Sequence, residues 1–177
     1  GVGPRQGSRF VMSLLGRSEE ELKEFGEAIA TLRQSVRFCK ECFNVSDDQL
    51  CGICANPRRD RSKVLVIEKI TALDSIEKTG LYRGLYHVLG GSINPVEGMT
   101  HEHLNIPQLK TRIDDLSQLH DDFEVILATS TDTAGETTAL YLRELFKNQG
   151  ITLTRLGRGL SAGANIEYAD EVTLKNA

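Results

Sequence analysis

The sequence predicts an α/β protein with a mostly parallel sheet, preceded by a helical segment and a small four-cysteine module. Three observations carry this. From residue 63 onward, short apolar runs alternate with segments of helical period, the pattern of strand–helix–strand units around a parallel sheet. The first of these runs, Val64-Leu65-Val66-Ile67, is apolar without alternation, as a strand covered on both faces requires. All four cysteines of the 177-residue chain fall within sixteen positions, Cys39-x2-Cys42-x8-Cys51-x2-Cys54. The resulting zones are 1–36, 37–62 and 63–177.

In chain order, Gly1-Val2-Gly3-Pro4 reads as a turn, followed by Phe10, Val11, Leu14 and Leu15 at helical spacing. Ser18 with Glu21 three residues on forms a capping box that opens a second helix. Its apolar stripe is Leu22, Phe25, Ile29, Leu32 and Val36. After the cysteine module come a strand at 64–67, a helix over 70–78 stopped by Gly80, and a strand at 85–89. Gly90, Gly91 and Pro95 mark a loop, and a helix is expected over 109–119. A strand at 123–128, a helix over 136–148 ended by Gly150, and a strand at 151–154 complete the pattern.

Two C-x-x-C knuckles joined by a short polar spacer supply four thiolates that can close a tetrahedron around one Zn²⁺. Four protein ligands leave no position for water, so the site reads as structural. Two disulfides, a redox C-x-x-C pair or a redox-inert coincidence are the alternatives. Disulfides need an oxidising compartment, and a redox pair sits at a strand–helix junction, whereas residues 39–54 lack strand character. The spacer contains no Lys or Arg, so the metal is expected to fix the junction between the flanking zones rather than to touch nucleic acid.

Net charge is −4, unevenly spread: residues 1–63 carry +2, leaving −6 on the rest. Arg5, Arg9 and Arg17 precede the first acid, so an acidic protein can still meet nucleic acid through this basic end; solvated surface charge is the plainer alternative. Absence of tryptophan and a 6% aromatic content argue against a base-stacking platform. No apolar run approaches the length of a membrane span. The chain begins at Gly1 without methionine and stops at Ala177 within a helical pattern, as a piece of a longer protein would.

In open α/β sheets, ligands gather beyond the carboxyl ends of the strands. Glu68 follows the first strand directly, and Asp132 and Glu136 follow the strand ending at Ala128. Carboxylates at neighbouring strand ends can hold Mg²⁺ for phosphoryl-transfer chemistry. The alternative for Glu136 is a carboxylate at a helix N-terminus, favoured by the dipole. Gly157-Arg158-Gly159-Leu160-Ser161-Ala162-Gly163 matches neither dinucleotide nor Walker A fingerprints and reads as an irregular loop. His101 and His103 lack a third ligand nearby and read as surface residues.

The order of parts resembles the RecR family of recombination mediators. Gly1-Val2-Gly3-Pro4-Arg5-Gln6-Gly7-Ser8-Arg9 resembles the hairpin and second helix of the family's helix-hairpin-helix. The four-cysteine knuckle follows, then Asn56-Pro57-x-Arg59-Asp60, Tyr82-Arg83-Gly84-Leu85-Tyr86-His87-Val88-Leu89-Gly90-Gly91, and Glu167-Tyr168-Ala169-Asp170-Glu171-Val172-Thr173-Leu174. The resemblance implies that 1–36 is a helix-hairpin-helix remnant plus a helix, 37–62 a four-cysteine zinc finger, and 63–177 a Toprim domain with a truncated C-terminal segment. Ala128-Thr129-Ser130-Thr131-Asp132-Thr133-Ala134-Gly135-Glu136 occupies the second Toprim motif. There Ser130 replaces an aspartate, and Ala134 stands where the family normally has glutamate.

The resemblance further implies a cytoplasmic, nucleoid-associated, non-enzymatic DNA clamp that acts with RecO and RecF to load recombinase at single-strand gaps. It would assemble as a homodimer or ring-like homotetramer. Gly1, Gly3, Arg5 and Arg9 would contact DNA phosphates without reading sequence. Glu68, Asp132 and Glu136 would form the acidic or partner surface. The rival reading is a Mg²⁺-dependent Toprim nuclease or primase-like enzyme using those same three acids. A protein-binding scaffold without DNA affinity is a third.

Overall fold

The computed structural model describes residues 2–157, 159, 163, 167 and 171. The chain divides into two compact units, Gly1–Arg37 and Phe38–Ala177.

The first unit is a pair of helices, α1 (Pro4–Leu15) and α2 (Glu19–Ser35). Proline at the first position of α1 has no N–H to leave unpaired, so the helix starts at the Gly-Pro step, well ahead of the apolar spacing. The capping box is present: Ser18 Oγ accepts from Glu21 N at 3.2 Å, and Glu21 Oε2 accepts from Ser18 N at 2.9 Å. Phe10 and Phe25 meet edge to face, centroids 6.0 Å apart. The stripe ends at Leu32, because Val36 is already extended and caps the helix.

The second unit begins with two short strands, β1 (Arg37–Phe38) and β2 (Val45–Ser46), which pair as a ribbon around the first knuckle. The main elements follow as β3 (Asp60–Ile67), α3 (Ile70–Glu77), β4 (Gly84–Val88), α4 (Ile106–Ser117), β5 (Glu124–Ala128), α5 (Thr133–Phe146) and β6 (Thr152–Arg155). The four longer strands form a parallel sheet in the order β4-β3-β5-β6. Ile67 pairs with both Val88 and Ala128, and Leu127 with Arg155, so all four carboxyl ends lie along one edge.

Both sheet faces are covered, which explains the unbroken apolar run in β3. Val64, Val66, Leu85, Val125 and Leu127 pack with Leu109 and Ile113 of α4 and Leu142 and Phe146 of α5. On the opposite face Leu65, Ile67, Tyr86 and Val88 pack with Leu73 of α3 and with Phe43 and Ile53 of the cysteine module. The module therefore belongs to the α/β unit and helps to close its core.

Three element starts differ from the sequence expectation by three residues or more. β3 begins at Asp60 rather than Val64: the Asp60 N–H donates to Arg83 O at 2.9 Å, a pairing invisible to hydropathy. α4 starts at Ile106 rather than 109, with Pro107 in its first turn. α5 starts at Thr133 rather than 136, because Asp132 is its cap. Among the described residues, no helix is long and apolar enough to cross a membrane.

Candidate functional site

Each knuckle is a tight turn closed by the backbone. Phe43 N donates to Cys39 O at 3.0 Å, and Ala55 N to Cys51 O at 2.9 Å. Phe43 takes φ 63°, a left-handed conformation that lets the first knuckle reverse within so few residues. The four sulfurs are buried and all lie within 4.8 Å of one another. The 3.4 Å between Cys42 and Cys51 exceeds a disulfide bond of about 2.05 Å, and all four cysteines are free thiols.

The donor set fits a tetrahedral soft-metal centre, whose sulfur–sulfur edge is about 3.8 Å for Zn²⁺. Electrostatics agree. Hydrogen bonds from Cys42 and then Cys54 hold the Cys51 thiol far below its usual range. The same bonding pushes Cys42 up to about 12 through Cys51, and raises Cys54 through Cys42 and Cys51. Cys51 is thus favoured as a thiolate while Cys42 and Cys54 resist ionisation, and a bound dication favours the thiolate form.

The sequence-predicted acids do reach one corner of the sheet, but each has its own partner. Glu68, directly after β3 and buried, accepts from Ser130 N at 3.0 Å and Ser130 Oγ at 2.5 Å. Asp132 caps α5 by accepting from Gly135 N at 2.8 Å. Glu136 is gripped by both arms of Arg155, at the end of β6, with two contacts of 2.6 Å. Arg155 Nη2 also donates to Thr129 Oγ1 at 3.2 Å. A Cβ on Gly135 would collide with Ser130 O and lie 2.9 Å from Glu68 Oε1, so only glycine lets α5 approach this closely. Among the described residues, the cysteines alone form a set of three or more candidate metal ligands within 4.8 Å.

In the helical unit, Gly3 is the N-cap of α1, and Arg5 and Arg9 are exposed one turn apart. No acid lies in the first turn. Gly3 has an ordinary φ of −71°, so its backbone freedom is not used there; the space around it is open. Gly1 lies outside the described residues, as do most of 157–163 and 167–174. Of the two histidines, His103 is exposed and its Nδ1 accepts from Thr100 N at 3.3 Å. His101 departs from the surface reading, being half-buried in a stack on Tyr141 with centroids 5.0 Å apart.

Comparison with known proteins gives three family matches: a Toprim domain over residues 62–157, the RecR four-cysteine zinc finger domain over 36–56, and the RecR C-terminal domain over 159–177. The chain is similar to "Recombination protein RecR" of Paenarthrobacter aurescens (strain TC1), 44% identical over the whole chain and 87% of that relative. It is also similar to the proteins of the same name from Mycobacterium ulcerans (strain Agy99), at 43% identity over the whole chain and 88% of the relative, and from Streptococcus mutans (strain UA159), at 42% over the whole chain and 87%. The chain belongs to the RecR family.

Within this RecR chain, two sequence motifs that had no chemical assignment turn out to be structural. Arg59 donates to Glu77 and to the carbonyls of Tyr82 and Gly84, the latter two at 3.2 and 3.3 Å. Tyr86 Oη donates to Glu77 Oε1 at 2.6 Å. Burial alone would raise the Glu77 carboxyl, but the Arg59 and Tyr86 donors outweigh it and hold it below its usual range. His87 is fully buried at the end of β4, its Nε2 paired with Asn105 O at 2.9 Å and its ring against Phe43. Arg155 was not legible as a site residue; knowing that β6 lies beside β5 would have placed its side chain at the acidic corner.

Proposed function

We propose that this RecR chain is a non-enzymatic DNA-binding clamp and adaptor in recombinational repair, working with RecO and RecF in the cytoplasm to load recombinase at gaps. The observation that carries the reading is its likeness, over the full chain, to recombination proteins. Cys39, Cys42, Cys51 and Cys54 hold one structural Zn²⁺, whose place is to fix the knuckles against the sheet. The basic start of α1 meets DNA: backbone N–H groups after Gly3 face a phosphate, and Arg5 and Arg9 add charge-assisted contacts to neighbouring phosphates. Binding is sequence-independent, and assembly is a homodimer or ring-like homotetramer.

Binding isotherms of the parent and the Arg5→Ala/Arg9→Ala variant at several salt concentrations test this. Loss of two phosphate contacts weakens binding and flattens the log–log salt slope by about 1.4 on single strands. Identical isotherms would remove α1 from the interface.

The pairing of Glu136 with Arg155, the capping role of Asp132 and the Ser130 bonds to Glu68 weigh against the Mg²⁺-dependent enzyme, since each of its three carboxylates is already engaged. Plasmid nicking with Mg²⁺ or Mn²⁺ decides the matter. Cleavage that disappears in Glu68→Gln would replace the adaptor by a nuclease.

A further inference from the structure

We propose that Arg112 is the outer-shell cation of the four-cysteine centre, fixing the second knuckle and retaining the metal; this rests on the zinc reading above. Arg112 projects from α4, and its side chain is only 9% exposed. Its Nη2 lies 3.6 Å from Cys54 Sγ and donates to Glu41 Oε2 at 3.3 Å. Its Nη1 donates to Tyr86 O, in β4, at 2.6 Å. One guanidinium thus joins a ligand sulfur, the loop between the first two ligands, and the sheet.

The chemistry calls for such a group. Four thiolates around a dication carry a net charge of about −2, and a buried charge is costly without a compensating partner. An N–H···S bond from a guanidinium offsets that charge on the sulfur and holds it in place at the metal. Arginine suits the position because its rigid fork can satisfy three acceptors at once, which a lysine ammonium on a flexible stem does less well.

The two knuckles are held differently. Val88 N donates to Cys42 O at 2.8 Å, so the first is tied to β4 by backbone. The second relies on side chains, with Arg61 Nη2 donating to Cys54 O at 3.1 Å and Arg112 reaching the sulfur itself. Arg112 also lines a cleft of about 430 Å³ together with Lys40, Glu41, Arg61 and Asp115.

The test uses the full chain loaded with zinc. Metal content of the parent is measured first. A parent without stoichiometric zinc overturns both the zinc reading and this role. With zinc present, its transfer to a chromophoric chelator is followed in the parent, Arg112→Gln, Arg112→Lys and Arg143→Gln, the last an exposed arginine elsewhere.

Release about 10–100-fold faster in Arg112→Gln is expected, with Arg112→Lys intermediate and Arg143→Gln unchanged. In the cobalt-substituted protein, the thiolate-to-metal charge-transfer band should shift in Arg112→Gln, which loss of packing alone would not produce. Release within twofold of the parent and an unshifted band in a folded Arg112→Gln protein would overturn the proposal. Should that variant fail to fold by circular dichroism, Arg112→Lys carries the same two readouts, and parent-like values in both overturn it equally.

Discussion

Four sulfurs from two knuckles converge within 4.8 Å in the cysteine module, whereas Glu68, Asp132 and Glu136 share one edge of the sheet yet bond to Ser130, Gly135 and Arg155 respectively. Both regions sit in the same α/β unit, and both read from sequence as places for a metal. The difference lies in what competes for the ligands. Around the cysteines the side-chain donors are other thiols and one guanidinium, so the charge of the cluster is left for a cation to balance. At the carboxylates the protein supplies its own balance: a cap, a hydroxyl and an arginine fork.

Metal removal should separate the two regions most strongly. Structural zinc contributes about 10–16 kcal/mol of apparent binding free energy in isolated finger peptides, so chelation or Cys54→Ser is expected to cost more than any other single change. Hydrogen exchange should then accelerate at Val88, whose amide is bonded to Cys42 O, while the Ser130 and Gly135 amides at the carboxylate corner stay protected. Equal loss of protection in both places would mean that the module and the corner form one cooperative unit and the contrast is false.

Acid should act next, and again on the cysteine side. Burial lowers the His87 pKa to about 4, so the folded state keeps the imidazole neutral while the unfolded chain protonates near the ordinary 6.5. Above pH 6.5 neither state binds the proton, and there is no effect. As pH falls from 6.5 toward 4 the unfolded state binds more, and stability drops by up to about 3 kcal/mol before levelling off. Acid also protonates metal thiolates, so urea unfolding of the parent and His87→Gln is compared at pH 7 and pH 4.5. A parent that loses no more stability than His87→Gln over that interval would show that His87 is not the group responsible.

The same contrast governs how far the sequence could be read. The clustering of the four cysteines was fully legible, because a two-residue gap is a local signal and one tight turn supplies both sulfurs. The parallel sheet was legible from the apolar runs of β3 and β5. The start of β3 at Asp60 was not, since the Asp60 amide pairs with Arg83 O and such a backbone bond leaves no mark on hydropathy. Asp132 was read as a candidate metal ligand, and its capping role appears only once α5 is seen to begin at Thr133. Arg155 and Arg112 meet their partners across 19 and 58 residues of sequence, contacts that leave no period and no spacing to detect.

Gly135 gives a middle-sized test of the carboxylate corner. A methyl group there would overlap Ser130 O and press on the Glu68 carboxylate at 2.9 Å. Gly135→Ala should therefore destabilise by about 1–3 kcal/mol, despite alanine's better helix propensity. Thermal unfolding of the zinc-loaded protein measures this, and zinc content should not change. A variant as stable as the parent would show that the α5 start can shift away from Ser130 without cost, and that the corner is loosely built.

The smallest expected effect is the most specific. Arg155 and Glu136 are 26% and 33% exposed, so solvent screens their pair and the Coulomb attraction is worth only about 1 kcal/mol. Single variants mix that interaction with lost contacts to Thr129 and with changed solvation. A double-mutant cycle of Arg155→Gln and Glu136→Gln removes those contributions and leaves the coupling itself. Favourable coupling near ~1 kcal/mol, weakening in high salt, is what an internal cation at this corner requires. Coupling indistinguishable from zero would instead leave the Glu136 carboxylate without a measurable hold on Arg155. The carboxylate corner would then no longer differ from the thiolate cluster in having its charge balanced from within the protein.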